Sequence, residues 1–393
     1  MRILFVTPEP PFPITDGARL VVANLARELA KQHRLALLTF SVGEISDDLA
    51  AYFEIVRTVP RPTFSRWRKR AQTFIDPLPL LVRAHTSEEF SKSLCELLGA
   101  NQFDVAHFDT PLVAGYLANS LPTVLAPHDT LTAHLQQMAR YAPRRKQRLL
   151  ARTQISKMRR FETMAYARAT RVVFVTDREK NAFQTFAPQV DARVIPNGVD
   201  ADFFAPRAVA QIPHSIAFLG VMGYAPNASA ALYFVQNMLP QIWQQIPDAT
   251  FSIIGREPTA DVRALSADTR IRVTGTVDDV RPELAAHAIV VAPMRAAGGI
   301  KNKVLEAMAM GKPSVATPEA VEGLDARDGQ EIAIARTADE FAQRCVRLLN
   351  DANERERFSH NARAWALKHS WKQTAAQYAA LYQEAIGEFR VRE

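Results

Sequence analysis

Short β-branched or apolar runs alternate with stretches of helical periodicity along nearly the whole chain, and this alternation restricts the fold more than any other property. In the first half the runs are Arg2–Val6, Leu35–Thr39, Ile55–Val59, Val105–Phe108, Thr123–Ala126, Arg171–Val175 and Arg193–Ile195. Helical spacing separates them at about Ala18–Gln32, Thr132–Ala169 and Asp177–Phe186. The second half repeats the rhythm, with runs at Ser215–Leu219, Thr250–Ile254, Ile271–Thr274, Ile289–Ala292, Ser314–Ala316 and Glu331–Ala335. Helices are expected there at Ala228–Gln245, Thr259–Ala267, Pro282–His287 and Lys303–Met310, and nearly everything from Ala338 onward reads as helix. Strands linked through helices pair in parallel and are covered on both faces. Two doubly wound parallel sheets follow. In such sheets ligands gather beyond the carboxyl ends of strands, so residues just after Val6, Ala126, Leu219 and Ala292 are favoured by position.

The chain has 393 residues, enough for two domains of ordinary size. A boundary is marked by Ile195-Pro196-Asn197-Gly198-Val199-Asp200, followed by Phe203 and Pro206. Asn-Gly forms a turn, and the nearby prolines stop regular structure.

The densest chemistry lies between Arg295 and Pro313. An apolar run ending in Pro293 leads into Gly298 and Gly299, and a helical pattern starts near Asn302. A glycine turn that opens a helix presents unpaired N–H groups, here those of Gly299 and Ile300, and the positive end of a dipole. That arrangement suits a diphosphate. Arg295, Lys301 and Lys303 add positive charge. An ionised Glu306 accepts hydrogen bonds from a pair of ribose hydroxyls. The plainer alternative is a buried strand, a turn and a helix with one stray acid.

Glu306, Ala307, Gly311 and Pro313 resemble the second half of the Glu-x7-Glu, Gly-x-Pro element of glycosyltransferase family 4. Pro196-Asn197-Gly198-Val199-Asp200 is similar to that family's interdomain signature, and the resemblance covers essentially the whole chain. The first acid of the element is missing, because position 298 is Gly. The version Gly-Gly-Ile-Lys-Asn-Lys looks like a bacterial subgroup associated with exopolysaccharide assembly. The resemblance implies an α/β, GT-B architecture: two doubly wound parallel-sheet (Rossmann-like) domains facing a central cleft. Residues 1–198 would bind the acceptor and 199–370 the nucleotide-sugar, with a carboxyl-terminal helix, 371–393, packing back toward the first domain.

The resemblance also assigns roles. Gly17, in the proline-rich turn before the first helix, approaches the donor diphosphate, where a missing Cβ permits closeness. Asp16 beside it borders the acceptor, although an N-cap explains it equally well. His128 matches a strand–His–Asp element in which the imidazole faces the donor sugar. His107 and Asp109 would face the acceptor, unless they are merely a strand-end turn. Gly220 opens the loop that often carries Arg and Lys for the diphosphate; Val221 and Asn227 stand there instead. With those cations missing, Arg295 and Lys303 are assigned to the phosphates and Lys301 to a lesser part. Val277, after Gly275-Thr276, would contact the base through its backbone. No metal cluster is visible, and no cofactor is implied because the nucleotide-sugar is a substrate.

Charge is uneven. Residues 1–200 hold 27 Lys and Arg against 19 Asp and Glu, whereas residues 201–393 hold 21 against 22. The excess concentrates in Arg66–Arg70, around Trp67, and in Arg140–Arg152. These are either solvated helix faces or surfaces for anionic lipid, a phosphorylated acceptor or nucleic acid. Cys95 and Cys345 lie far apart and form no framework, which favours a reducing compartment. The apolar run at the amino terminus is too short for a signal peptide, and none approaches a membrane span. The expected location is the cytoplasm, with the basic first domain peripheral to the inner face of the plasma membrane.

The function expected from these features is transfer of a sugar from a nucleoside diphosphate donor to a hydroxyl acceptor. The acceptor would be a glycan or lipid-linked molecule and not a nucleic acid, with anomeric configuration retained by resemblance. A GT-B nucleotide-sugar epimerase and a non-catalytic nucleotide-sugar-binding protein are the two other readings.

Overall fold

In the computed structural model, which describes residues 1–41, 46–63, 76–141, 145–295 and 298–392, the chain divides into two compact units. The basic cluster Arg66–Arg70 lies outside the described residues. The first unit comprises Met1–Pro196 and Thr374–Glu393, and the second Asn197–Gln373.

The first unit contains β1 (Arg2–Thr7), α1 (Gly17–Leu29), β2 (Arg34–Ser41), β3 (Ile55–Pro60), α2 (Leu80–Arg83), α3 (Glu88–Ala100), β4 (Val105–Asp109) and β5 (Thr123–His128). It continues through α4 (Leu131–Tyr141), α5 (Arg145–Tyr166), β6 (Arg171–Phe174), α6 (Asp177–Gln184) and β7 (Ala192–Val194). Its seven strands lie in the order β3-β2-β1-β4-β5-β6-β7, all parallel. Alternation along β1 shows why such strands read as continuous apolar runs. Ile3 and Phe5 pack with Val22, Ala26 and Leu29, while Leu4 and Val6 pack with Leu38, Phe90 and Phe108 on the other face.

The second unit holds β8 (Ile212–Leu219), α7 (Ala225–Asn237), α8 (Leu239–Gln245), β9 (Thr250–Ile254), α9 (Ala260–Ala264), β10 (Ile271–Val273) and α10 (Val280–Ala286). Then come β11 (His287–Ala292), α11 (Asn302–Ala309), β12 (Ser314–Ala316), β13 (Ala333–Ile334), α12 (Ala338–Asn350), α13 (Ala352–Leu367) and α14 (Trp371–Arg392). The strand order is β10-β9-β8-β11-β12-β13. From Thr374 onward α14 belongs to the first unit, where Tyr378, Leu381 and Tyr382 are buried with Phe5 and Val22.

Two local outcomes differ from the sequence reading. Within the expected helix over Thr132–Ala169 the described residues form α4 and α5, and residues 142–144 lie outside them. The stretch Ala228–Gln245 divides at Met238, because Pro240 fits only the first turn of a new helix. Helix α3 lies where no helix was expected. Its signals are nonetheless local: Ser87 caps the Phe90 N–H at 3.3 Å, and Phe90, Leu94 and Leu97 recur on one face.

The interdomain signature has a packing reason. A Cβ on Gly198 would stand 2.4 Å from the Trp371 nitrogen, so only glycine admits the start of α14 there. The Val199 N–H donates to the His369 carbonyl at 2.9 Å in the same place.

Candidate active site

Each sheet reverses its strand order once, between β1 and β4 in the first unit and between β8 and β11 in the second. At such a switch point the connecting helices leave to opposite faces and open a crevice beyond the strand ends. Most residues selected from the sequence collect at these two places.

In the second unit the loop after β8 meets the start of α11. Lys303 donates from Nζ to Asn227 Oδ1, and its amine lies 4.9 Å from the centre of the Phe218 ring. Asn227 is oriented by donating from Nδ2 to the Val221 carbonyl at 2.9 Å. A Cβ on Gly220 would come within 2.8 Å of Asn227 Nδ2 and 3.0 Å of Lys303 Nζ, so any larger residue would push these two side-chain ends aside. The lysine therefore brings its charge to the loop whose own residues, Val221 and Asn227, have none.

The turn before α11 is left-handed at Gly298 (φ 124°) and Gly299 (φ 58°). The Gly298 N–H donates to Glu322 at 3.1 Å, and Lys301 turns its amine back onto the carbonyls of Gly298 and Gly299. Lys301 thus braces its own turn. Ile300 is buried, and no side chain caps the α11 N-terminus. Glu306 follows one turn later, and no described residue hydrogen-bonds its carboxylate. Burial raises the Glu306 carboxyl to about 7, partly offset by Lys303. Burial also lowers the Lys303 ammonium to about 7, against the pull of Glu306 and with a further push from Lys301. A dianionic ligand would relieve the lysine, and hydroxyl donors would satisfy the acid.

Val277 directs its side chain into the cluster of Ala217, Leu219, Ile254 and Leu284, which leaves its backbone for any contact with a base. Arg295 makes a ring contact that the sequence did not indicate. Its guanidinium lies 4.7 Å from the centre of the Tyr233 ring, in a groove of 670 Å³ lined also by Gly223, Ala225 and Asp261. The ring on α7 offers the planar cation a stacking surface.

In the first unit β4 and β5 end side by side. His128 Nε2 donates to Asp109 Oδ1 at 2.7 Å, and Asp109 is almost fully buried. The strand reaches His128 through an irregularity in the β5–β6 register after Leu125. His128 then takes φ 63°, and Thr110 beyond β4 takes φ 68°, conformations that non-glycine residues rarely adopt. Such strain, of order 1–3 kcal/mol per residue, tends to collect at functional sites. Burial disfavours the charged imidazole, but the charge and hydrogen bond of Asp109, aided by Asp129, outweigh it and raise His128 above the ordinary histidine value. Burial also opposes ionisation of Asp109, yet His128 and His107 together hold its carboxyl below the usual range.

His107 does not face an acceptor. It is 1 % exposed, its Nδ1 is 2.8 Å from the Tyr382 hydroxyl, and its ring packs on Phe5 and Tyr378. Burial lowers its basicity against the pull of Asp109, whose Oδ1 is 4.0 Å from Nε2. A strand buried on both faces turns successive side chains to opposite cores, which takes His107 inward. Asp16 is the N-cap of α1, accepting from the Arg19 N–H at 3.0 Å, and the space where a Gly17 Cβ would stand is open.

Asp16 and Asp109 also line a 220 Å³ cavity with Glu9, Arg19, Arg61 and His85. Glu9 bridges Arg19 at 2.6 Å and Arg61 at 3.1 Å. His85 has Nδ1 2.9 Å from the Leu81 carbonyl and Nε2 2.8 Å from Arg61, which fits a neutral ring accepting from the guanidinium. Burial, reinforced by Arg61, keeps it below the ordinary value. Sequence reasoning missed Glu9, Arg61 and His85; only the position of Glu9 after β1 was a signal. Among the described residues no three His, Cys, Asp or Glu side chains are grouped to hold a metal ion.

A family model described as Glycosyltransferase Family 4 matches residues 15–203, and one described as Glycosyl transferases group 1 matches residues 213–351. The chain belongs to glycosyltransferase family 4. Among curated relatives of this family 4 chain is a phosphatidyl-myo-inositol mannosyltransferase of Mycobacterium tuberculosis, 26 % identical over 215 residues. That match covers 50 % of this chain and 55 % of the relative, so the chain spans about half the length of the curated relatives it matches. Among solved structures, sucrose-phosphate synthase from Thermosynechococcus elongatus aligns with a TM-score of 0.72 at 18 % identity, over 99 % of this chain and all of the other. Anabaena HepE in complex with UDP aligns at 0.70 and 16 % identity, over 98 % and 100 %. At such identities the likeness establishes the fold, which is GT-B.

Proposed function

We propose that this family 4 protein transfers a sugar from a nucleoside diphosphate donor to a hydroxyl acceptor with retention of configuration. The observation that carries the reading is the Lys303–Asn227–Gly220 cluster, with Glu306 one turn along α11, at the switch point of the second sheet. Lys303 and the N–H groups of Gly299 and Ile300 would meet the diphosphate, Glu306 the ribose, and the Val277 backbone the base. His128, held by Asp109, would donate from Nδ1 to the sugar. As the anomeric bond to the phosphate oxygen breaks, the acceptor oxygen attacks the same face and its proton passes to the departing diphosphate. Lysine and helix dipole stabilise the charge on that leaving group. Structures of HepE with UDP-glucose favour a nucleotide-sugar donor of this class.

Thermal unfolding against a panel of nucleotide-sugars tests the donor assignment. At 100 times the dissociation constant, a true donor is expected to add about 2.7 kcal/mol of stability. If no nucleotide-sugar raises the unfolding temperature, the reading is wrong.

The acceptor is proposed to be lipid-linked, in the assembly of an exopolysaccharide or related glycan at the inner face of a membrane. A relative named for phosphatidyl-myo-inositol supports a lipid acceptor. On α5, Leu149 (65 % exposed) and Leu150 (46 %) stand among exposed Arg145, Lys146 and Arg152. No described helix is long and apolar enough to cross a membrane, so contact would be peripheral. Each basic residue near an anionic surface contributes about 1 kcal/mol, screened by salt. Co-sedimentation with anionic vesicles is expected at low salt and not at high salt; no binding at low salt would leave these residues as a solvated face.

A further inference from the structure

Two buried carboxylates with no part in the proposed chemistry converge on the segment just after His128. Glu162 lies on the inward stripe of α5, with Ala151, Gln154, Met158 and Ala165, and is fully enclosed. Its oxygens accept from the Leu131 N–H at 2.8 Å, the Thr132 N–H at 3.3 Å and the Thr132 hydroxyl. Glu179, in the first turn of α6, accepts the Thr130 N–H at 2.7 Å. The Thr130 hydroxyl in turn donates to the Glu179 main-chain oxygen at 2.9 Å. Three consecutive N–H groups, at 130, 131 and 132, are therefore held by acids from two other helices.

This is a costly way to start a helix. A local serine, threonine or aspartate would serve an N-terminus exposed to water. Burial instead pushes the Glu162 carboxyl up to about 7, despite the bonds from Thr132 and Leu131, and raises Glu179 as well. What the arrangement achieves is a fixed backbone two residues beyond His128, whose own φ of 63° needs to be held by its surroundings.

We propose that Glu162 and Glu179 are positioning residues for His128, clamping residues 130–132 so that the imidazole keeps Asp109 on Nε2 and presents Nδ1 outward. The proposal rests on the assignment of His128 to the transfer step. Glutamine at either position keeps the volume but exchanges an ionisable acceptor for a weaker neutral one, and at 162, where both oxygens accept, it also aims an amide donor at an N–H, which should loosen the turn.

Glu162→Gln and Glu179→Gln are each expected to lower kcat at least tenfold, with nucleoside diphosphate affinity unchanged. In a His128→Ala background neither should lower kcat further, because both act through the same side chain. The His128 ring resonance, followed by NMR against pH, should titrate lower in the glutamine variants as its contact with Asp109 loosens. A multiplicative loss in the His128→Ala background overturns the proposal. So does a folded variant whose His128 titrates as in the wild type. Wild-type turnover of His128→Ala alone would instead remove His128 from the reaction, and the NMR titration would still decide the clamp. If Glu162→Gln does not fold, Glu179→Gln and Thr132→Val, which removes one donor to Glu162, carry the same measurements.

Discussion

Replacing His128 with alanine is expected to lower turnover by about 100-fold or more, the range for a positioned proton donor, while nucleoside diphosphate affinity stays within about threefold. The imidazole is fastened through Nε2 to a buried carboxylate, which leaves one ring nitrogen to act. Asp109→Asn should lower kcat in the same direction, because the ring loses the charge that favours its protonated form. It also has a stability signature. The folded-state value of His128 lies above its reference of 6.5, and that of Asp109 lies below its reference of 3.8. The pair's contribution is therefore complete between those two references. It fades as pH rises through the raised histidine value, and as pH falls through the lowered carboxyl value. Breaking such a pair from one side costs about 3 kcal/mol. Denaturant titrations of Asp109→Asn should show a larger loss at pH 6 than at pH 9; equal losses would mean that the histidine is not charged. A His128→Ala variant that loses nucleotide affinity and turnover together would report a folding defect instead.

Lys303 and Glu306 should separate the two halves of the nucleotide. Lys303→Ala is expected to weaken nucleoside diphosphate binding by about 10- to 100-fold, as for a charged hydrogen bond of about 1.5–3 kcal/mol, and to leave nucleoside binding alone. Glu306→Ala should weaken both ligands by similar factors, because ribose is common to them. The lysine is lowered to about 7, so near neutrality it must gain a proton to meet the diphosphate. Diphosphate affinity should accordingly fall as pH rises from 7 to 9, with proton uptake seen by calorimetry in buffers of different ionisation enthalpy. Nucleoside affinity should not follow that slope. Arg295→Ala, whose guanidinium stacks on Tyr233, should keep the wild-type preference for diphosphate over nucleoside. If Lys303→Ala keeps it too, the charge comes from elsewhere.

At Asn227 a cation from a distant helix meets a loop that departs from the family pattern. The loop after β8 lacks cations, and the cation arrives from α11, 76 residues along the chain. It fits because Gly220 leaves room for an ammonium at that spot. A motif scan sees the loss at positions 221 and 227 and a lysine at 303, but not that they meet.

The sequence alone determined most of the element types, the parallel sheets and the glycine turn before α11. These depend on periodicity, on turn residues and on the conformations that glycine and proline permit, all local properties. Only the tertiary structure decided which side chains meet. His128 reaches Asp109 from the neighbouring strand, 19 residues away, while His107 is drawn inward to Tyr382, 275 residues away. Arg295 was expected beside the phosphates and lies on an aromatic ring, and Glu162 holds a turn 30 residues before it. Local periodicity cannot express such pairings, because they follow from strand order and from the face each strand-end residue takes. Those are fixed only when the crossovers close and both faces of each sheet are buried at once.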